Sequence, residues 1–221
     1  MGHLNTIVEL EGPIIDVQAR YWAAHRAAVE AIGFEGPSES EFWRLVRLGA
    51  PDHQFVQHGK SDKVAEYARL RDEKLHSSEL MALDEARAGA SENLRILKQL
   101  GSCHLATLCD NREGLNATLD RLDIWMYFDK KVVLPESRDR RVASLKELMG
   151  HHPSTLVVAG SVPFAYAAGE AGGRVVGIKG GPAFPDRLRK VGADFCFDSL
   201  DALTDALTKR DPILERIGLI F

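Results

Sequence analysis

The sequence predicts an α/β protein: a Rossmann-like, mostly parallel sheet flanked by helices, with an all-helical block inserted after the first strand. Three observations predict it. Apolar Thr6, Ile7 and Val8 run into Gly12-Pro13, as a buried strand runs into a turn. From Asp16 to about Leu83 the spacing is helical and no segment has a strand pattern. Beyond Ser91 helix and strand alternate regularly, the arrangement of β-α units around a parallel sheet. The core is therefore expected over 1–15 and 88–221, and the helical cap over 16–87.

The first strand carries Glu9 and Glu11 to its carboxyl end, which is where open α/β sheets place their ligands. Val17, Tyr21, Ala24, Ala28 and Ile32 then recur at helical spacing, and Gly33 stops the helix. Gly36-Pro37 breaks the chain, and Ser38 with Glu41 forms a capping-box pattern ahead of Phe42, Leu45 and Val46. Gly49, Pro51 and Gly59 interrupt the next stretch, and a further helix is expected from Lys63 to Leu83. His53, His58 and His76 are scattered through this block without metal-ligand spacing and read as solvated or loop residues.

In the second half, a helix with Leu94, Leu97 and Leu100 ends at Gly101, and a strand follows over Cys103 to Cys109. A helix through Leu115, Leu119 and Leu122 leads to a strand over Lys131 to Leu134. Trp125, Met126, Tyr127 and Phe128 lie between them and read as core, with a dimer contact through Trp125 and Tyr127 as the alternative. Val142, Leu145 and Leu148 mark a helix closed by Gly150. Thr155 to Ala159 is the most strand-like run, and Gly160-Ser161 turns it into an alanine-rich helix ending at Gly172-Gly173. Arg174 to Ile178 is the next strand, a short helix ends near Leu188, Ala193 to Phe197 is the last strand, and a helix spans Leu200 to Leu207. The apolar tail, Pro212 to Phe221, is expected to pack on the core, with a partner-binding segment as the alternative.

Composition removes several classes of function. A chain of 221 residues can bury a full core but has no room for two independent enzymes. A net charge of -4 and a pI near 6.1 give no basic footprint for nucleic acid. No apolar run approaches the about 20 residues a membrane span needs. Cys103, Cys109 and Cys196 are odd in number and form no C-x-x-C pair, and no apolar signal segment is evident, so a cytoplasmic location is expected.

Two stretches carry a family resemblance. Glu9-Leu10-Glu11-Gly12-Pro13-Ile14-Ile15-Asp16 keeps the spacing, glycine and last aspartate of the pattern D-x-D-G-T-h-h-D. Val157 to Gly172 matches V-V-G-D-S-x-x-D-h-x-A-A-x-x-A-G without gaps, and Leu105 to Asn111 is similar to an apolar strand ending in Thr or Ser and then Asn. The chain resembles the haloacid dehalogenase superfamily of phosphatases, in particular the phosphoglycolate phosphatase and β-phosphoglucomutase-like branch with a helical cap, over nearly its whole length.

The resemblance implies an aspartate nucleophile, a second aspartate as acid and base, a hydroxyl and a lysine that hold phosphate, and carboxylates for Mg²⁺. At the matching positions this chain has Glu9, Glu11, Cys109, Glu136, Gly160 and Phe164. An extra methylene at Glu9 moves the attacking oxygen by roughly an ångström, a misplacement that can cost about 100-fold in rate. Glu136 in place of a lysine turns attraction for phosphate into repulsion, about 4 kcal/mol for unit charges ~4 Å apart at an effective dielectric of ~20. Gly160 and Phe164 offer no side-chain oxygen to a metal that wants a nearly octahedral oxygen shell. Asp110 is a substitute carboxylate, and Arg138, Arg140 or Arg141 a substitute cation.

The expectation is a phosphatase-like pseudoenzyme that binds a small-molecule ligand or a protein partner, with Glu9, Glu11, Cys109, Asp110 and Ser161 as ligand-binding candidates. No confident catalytic residue, metal ligand or cofactor is expected, and a homo-oligomer is open. The alternative is an active phosphomonoesterase using Glu9 and Glu11 in place of the aspartates, and only then is Mg²⁺ expected.

Overall fold

The computed structural model describes residues 3–56, 61–152 and 154–219. Its centre is strand β1 (Leu4–Glu9), every residue of which is buried. Burial on both faces is the signature of a central parallel strand. A two-residue strand β2 (Ile15–Asp16) follows, then four helices: α1 (Gln18–Ala31), α2 (Glu39–Leu48), α3 (Ser61–Leu75) and α4 (Ser78–Met81). Strand β3 (Glu85–Ala86) pairs antiparallel with β2, so the chain enters and leaves the helical block through one short ribbon.

The rest alternates: α5 (Ala90–Leu100), β4 (Gly101–Thr107), α6 (Arg112–Arg121), β5 (Lys130–Val133), α7 (Arg138–Met149), β6 (Thr155–Ala159), α8 (Val162–Glu170), β7 (Arg174–Ile178), α9 (Pro185–Lys190), β8 (Phe195–Phe197), α10 (Leu200–Lys209) and α11 (Pro212–Arg216). The main sheet has the order β5-β4-β1-β6-β7-β8 with every pair parallel. Helices cover both faces. Leu94, Leu97, Leu119 and Leu203 lie on one side, and Leu145, Phe164, Ala168 and Leu188 on the other.

Local signals explain the helical block. Ser38 Oγ accepts the Glu41 N–H at the start of α2, and Gly49 ends that helix at φ 65°, where a side chain would be strained. The expected Lys63 to Leu83 helix is two helices, because Ser77 Oγ donates to the Lys74 carbonyl (2.8 Å) and accepts the Leu80 N–H (3.3 Å). That one side chain closes α3 and caps α4. An aromatic core of Phe42, Trp43, Phe55 and Tyr67 holds the block together.

Several expectations change. The strand at Asp16 and its partner at Glu85 had no sequence pattern. The strand expected to reach Cys109 ends at Thr107, with Cys109 in the loop after it. Trp125 and Met126 are 46% and 57% exposed, whereas Phe128 is core and Tyr127 packs against it partly buried. In the tail, Leu214, Ile217 and Leu219 join the core, while Ile220, Phe221, His58 and Gly59 lie outside the described residues. Among the described residues no helix is long and apolar enough to cross a membrane, and all three cysteines are buried and unpaired.

Candidate active site

The candidate site lies at the carboxyl edge of the sheet, where the loops after β1, β6 and β7 meet under the helical block. Backbone contact decides its shape. Gly12 has φ +101°, and a Cβ there would sit 3.2 Å from the Cα atoms of both Gly160 and Gly181. A Cβ on Gly160 would lie 2.6 Å from the Glu11 carbonyl oxygen and 2.7 Å from Pro13 Cδ. Three loops are thus stacked backbone against backbone through three glycines, an approach only residues without Cβ allow.

Glu9 ends β1 and is 1% exposed. Its Oε2 accepts the N–H groups of Gly160 (2.7 Å) and Ser161 (2.9 Å), and the Ser161 hydroxyl donates to Oε1. Both carboxylate oxygens are therefore engaged inside the protein. Burial pushes the Glu9 carboxyl up to about 7, against the lowering effect of these three donors, with the Glu11 charge adding a small further rise.

Glu11 belongs to a second buried network. It pairs with Arg20 from α1, whose guanidinium is fully buried and whose Nε lies 3.1 Å from Asp84 Oδ1. Burial lowers the Arg20 pKa, but the Glu11 and Asp84 carboxylates outweigh it and hold the guanidinium above its ordinary value. Burial pushes Asp84 up to about 7 although Arg20 pulls it down. Neither Arg20 nor Asp84 was singled out from sequence. A signal for Arg20 was present, since it falls on the Val17–Ala24 stripe of an amphipathic helix, where a charge demands partners.

A cleft of about 280 Å³ opens beside these networks, bounded by Glu11, Tyr21, His76, Leu108, Ser161 and Arg187 among others. Tyr21 and His76 come from the helical block. Arg187, on α9, is the cation of this wall, and the short run Asp186-Arg187-Leu188-Arg189-Lys190 gives no sequence reason to choose it. His76, expected on a solvated face or loop, lies in the turn between α3 and α4 and also lines the wall, with Nδ1 3.7 Å from Asp110 Oδ1.

The other candidates are dispersed. Cys109 is buried against Met81 (Sγ–Sδ 3.7 Å), and burial raises its thiol pKa, the opposite of what a nucleophile requires. Asp110 faces solvent and does not join Glu9. Glu136 is exposed, with its carbonyl and that of Pro135 accepting from Arg141. Arg138 stacks on Tyr166 at 4.4 Å and pairs with Glu170, so neither it nor Arg141 supplies the missing cation. Phe164 is fully buried in the core beneath α8.

No sequence-family profile and no curated protein matches the chain. Solved structures do. A haloacid dehalogenase-like family hydrolase from Streptococcus pneumoniae superposes with a TM-score of 0.75 at 13% identity, over 93% of this chain and 98% of its own. The chain has the haloacid dehalogenase-like fold. A predicted phosphatase from Clostridium acetobutylicum (TM-score 0.73, 14% identity, 94% of this chain and 100% of that one) and a predicted phosphoglycolate phosphatase from Haemophilus somnus (0.69, 16%, 95% and 98%) are similar in the same way. At these identities the likeness concerns the fold alone.

The residues present do not fit the Mg²⁺ that haloacid dehalogenase-like phosphatases imply. An aspartate at Gly160 has no space, Glu9 has no free oxygen, and Glu11 is neutralised by Arg20. Among the described residues no group of three or more His, Cys, Asp or Glu side chains is arranged to hold a metal ion.

Proposed function

We propose that this chain has lost phosphoryl transfer and acts by binding, with the cleft as its ligand site and the helical block of 16–87 as a cap over it. The observation that carries this reading is the engagement of Glu9. A nucleophile needs a free, solvent-reachable oxygen, and both oxygens of Glu9 accept hydrogen bonds from the Gly160-Ser161 turn while three glycines hold that turn against β1. Substitution at Gly160 and Phe164 removes the metal's carboxylates, and Arg187 leaves the cleft with a cation suited to an anionic ligand. The unpaired, buried cysteines support a reducing, cytoplasmic setting.

Phosphate release from a panel of sugar and glycolate phosphates, with and without Mg²⁺, tests the reading. We expect no turnover; rates above about 1 per second, in the ordinary enzyme range, overturn it. Such turnover, abolished in Glu9→Gln, would assign the chain to the alternative, a phosphomonoesterase using Glu9 and Glu11.

A further inference from the structure

Two cavities share Tyr21 as a wall. One is the cleft of about 280 Å³. The other, of about 270 Å³, lies inside the helical block and is lined by Phe42, Val46, Ala50, Phe55 and Leu75 besides Tyr21. Its charged rim holds one cation, Arg71, paired with both Asp52 and Asp72, and the excess negative charge sits at the exposed edge, where Asp72 faces solvent. The inner cavity therefore offers apolar surface and no free cation to hold an anionic head.

The cleft differs in one respect. The carboxylate of Glu11 is matched by Arg20, whereas Arg187 has no carboxylate within ion-pair distance among the described residues. Its Nη1 makes only a 3.4 Å bond to the Arg47 carbonyl, and its guanidinium lies against Gly49, where any Cβ would come within 2.3 Å of its atoms. The Tyr21 hydroxyl likewise has no hydrogen-bond partner among the described residues. Burial and the nearby Glu11 charge raise its pKa, which keeps it a donor.

We infer that the two cavities together take one amphiphilic monocarboxylate, its head on Arg187 in the cleft and its unbranched apolar tail beside Tyr21 in the inner cavity. One uncompensated guanidinium matches one negative charge and can hold a carboxylate through two parallel hydrogen bonds. A phosphate dianion would bring a second charge next to Glu11 with no cation left to meet it. An apolar cavity with a few convergent polar groups is the usual form of a small-molecule site. The inference rests on the cleft being a binding site, as proposed above, and adds the class of ligand.

The test is isothermal titration of the full chain with hexanoate, octanoate and decanoate, with decyl phosphate as a comparison. Burial of each methylene predicts a gain of about fourfold in affinity until the inner cavity is full. Val46→Phe, which fills that cavity, should flatten the series. Leu75→Phe, from α3, should do the same and guards against a folding defect in the first variant. Arg187→Ala should weaken every member by a similar factor and leave the chain-length dependence intact. Affinity independent of chain length, or decyl phosphate binding more than tenfold tighter than decanoate, overturns the inference and leaves the loss of phosphatase activity standing. Mg²⁺-dependent hydrolysis of p-nitrophenyl phosphate instead overturns the reading of the cleft, and is measured independently of the titration series.

Discussion

Placing an aspartate at position 160 isolates the contact on which the candidate site depends. The new Cβ would meet the Glu11 carbonyl oxygen at 2.6 Å, Pro13 Cδ at 2.7 Å and Gly12 Cα at 3.1 Å. Two of these are backbone atoms and the third is held in a ring, so no side-chain rotation relieves them; the turn after β1 must move. Overpacking of this kind costs about 1–3 kcal/mol, which is the expected loss for Gly160→Ala. Gly160→Asp adds a buried carboxyl without a partner, another about 1–3 kcal/mol. Its total, about 2–6 kcal/mol, is a large fraction of the roughly 5–15 kcal/mol that holds a typical domain together. Urea unfolding followed by circular dichroism measures both variants, and hydrolysis of p-nitrophenyl phosphate with Mg²⁺ measures any phosphatase activity. The expected order is parent, Ala, Asp in falling stability, with no turnover. A Gly160→Asp protein within about 0.5 kcal/mol of the parent refutes the packing argument, since surface-like tolerance is on that scale.

The remaining predictions concern the two buried carboxylate networks. The Glu9 carboxyl is raised from 4.5 to about 7, so the native state keeps a proton that the unfolded chain releases; the resulting stability is present below pH 4.5 and lost as pH rises through about 7. Across that window the parent should lose up to about 3 kcal/mol more than Glu9→Gln, at 1.36 kcal/mol per unit, and urea midpoints at pH 5, 6 and 7 that change equally in both proteins would contradict it. Arg20→Met leaves Glu11 and Asp84 without their cation and should cost about 3–5 kcal/mol at pH 7.5. The cost should shrink at pH 5, where Asp84, raised to about 7 even beside Arg20, is protonated in both proteins and needs no cation; a pH-independent loss would point to packing alone.

Legibility in the sequence followed the range of the interaction. Strand β6 and the Thr6-Ile7-Val8 centre of β1 were readable because burial on both faces favours short runs of apolar and β-branched residues, and α2 because Ser38 and Gly49 are local start and stop signals. The ribbon of Ile15–Asp16 and Glu85–Ala86 was not, since its pairing is imposed by where the helical block leaves and rejoins the core. Exposure of Trp125 and Met126 was equally invisible, because an apolar side chain signals affinity for burial and not what covers it. In the site, Glu9, Glu11, Gly160 and Ser161 were named from two stretches of sequence and meet in space. Arg187 was missed because its place in the cleft wall depends on the C-terminal end of α2 packing against α9, a contact between segments with no shared pattern.

The geometry also changes how the altered positions relate to one another. Read along the chain, Glu9 and Gly160 are two separate departures from a phosphatase pattern, each with its own cost. In space they are one. The additional methylene of a glutamate at position 9 carries its carboxylate to the N–H groups of Gly160 and Ser161, and the absence of Cβ at Gly160 lets that turn close on Gly12 and Gly181. An aspartate at position 9 would be a methylene shorter against the same donors, and an aspartate at 160 would clash with the turn that Glu9 secures. Neither change alone reopens the site, because each residue fits the loop arrangement that the other requires. This interdependence leaves the cleft beside them, and not the carboxylates themselves, as the open space at this edge of the sheet.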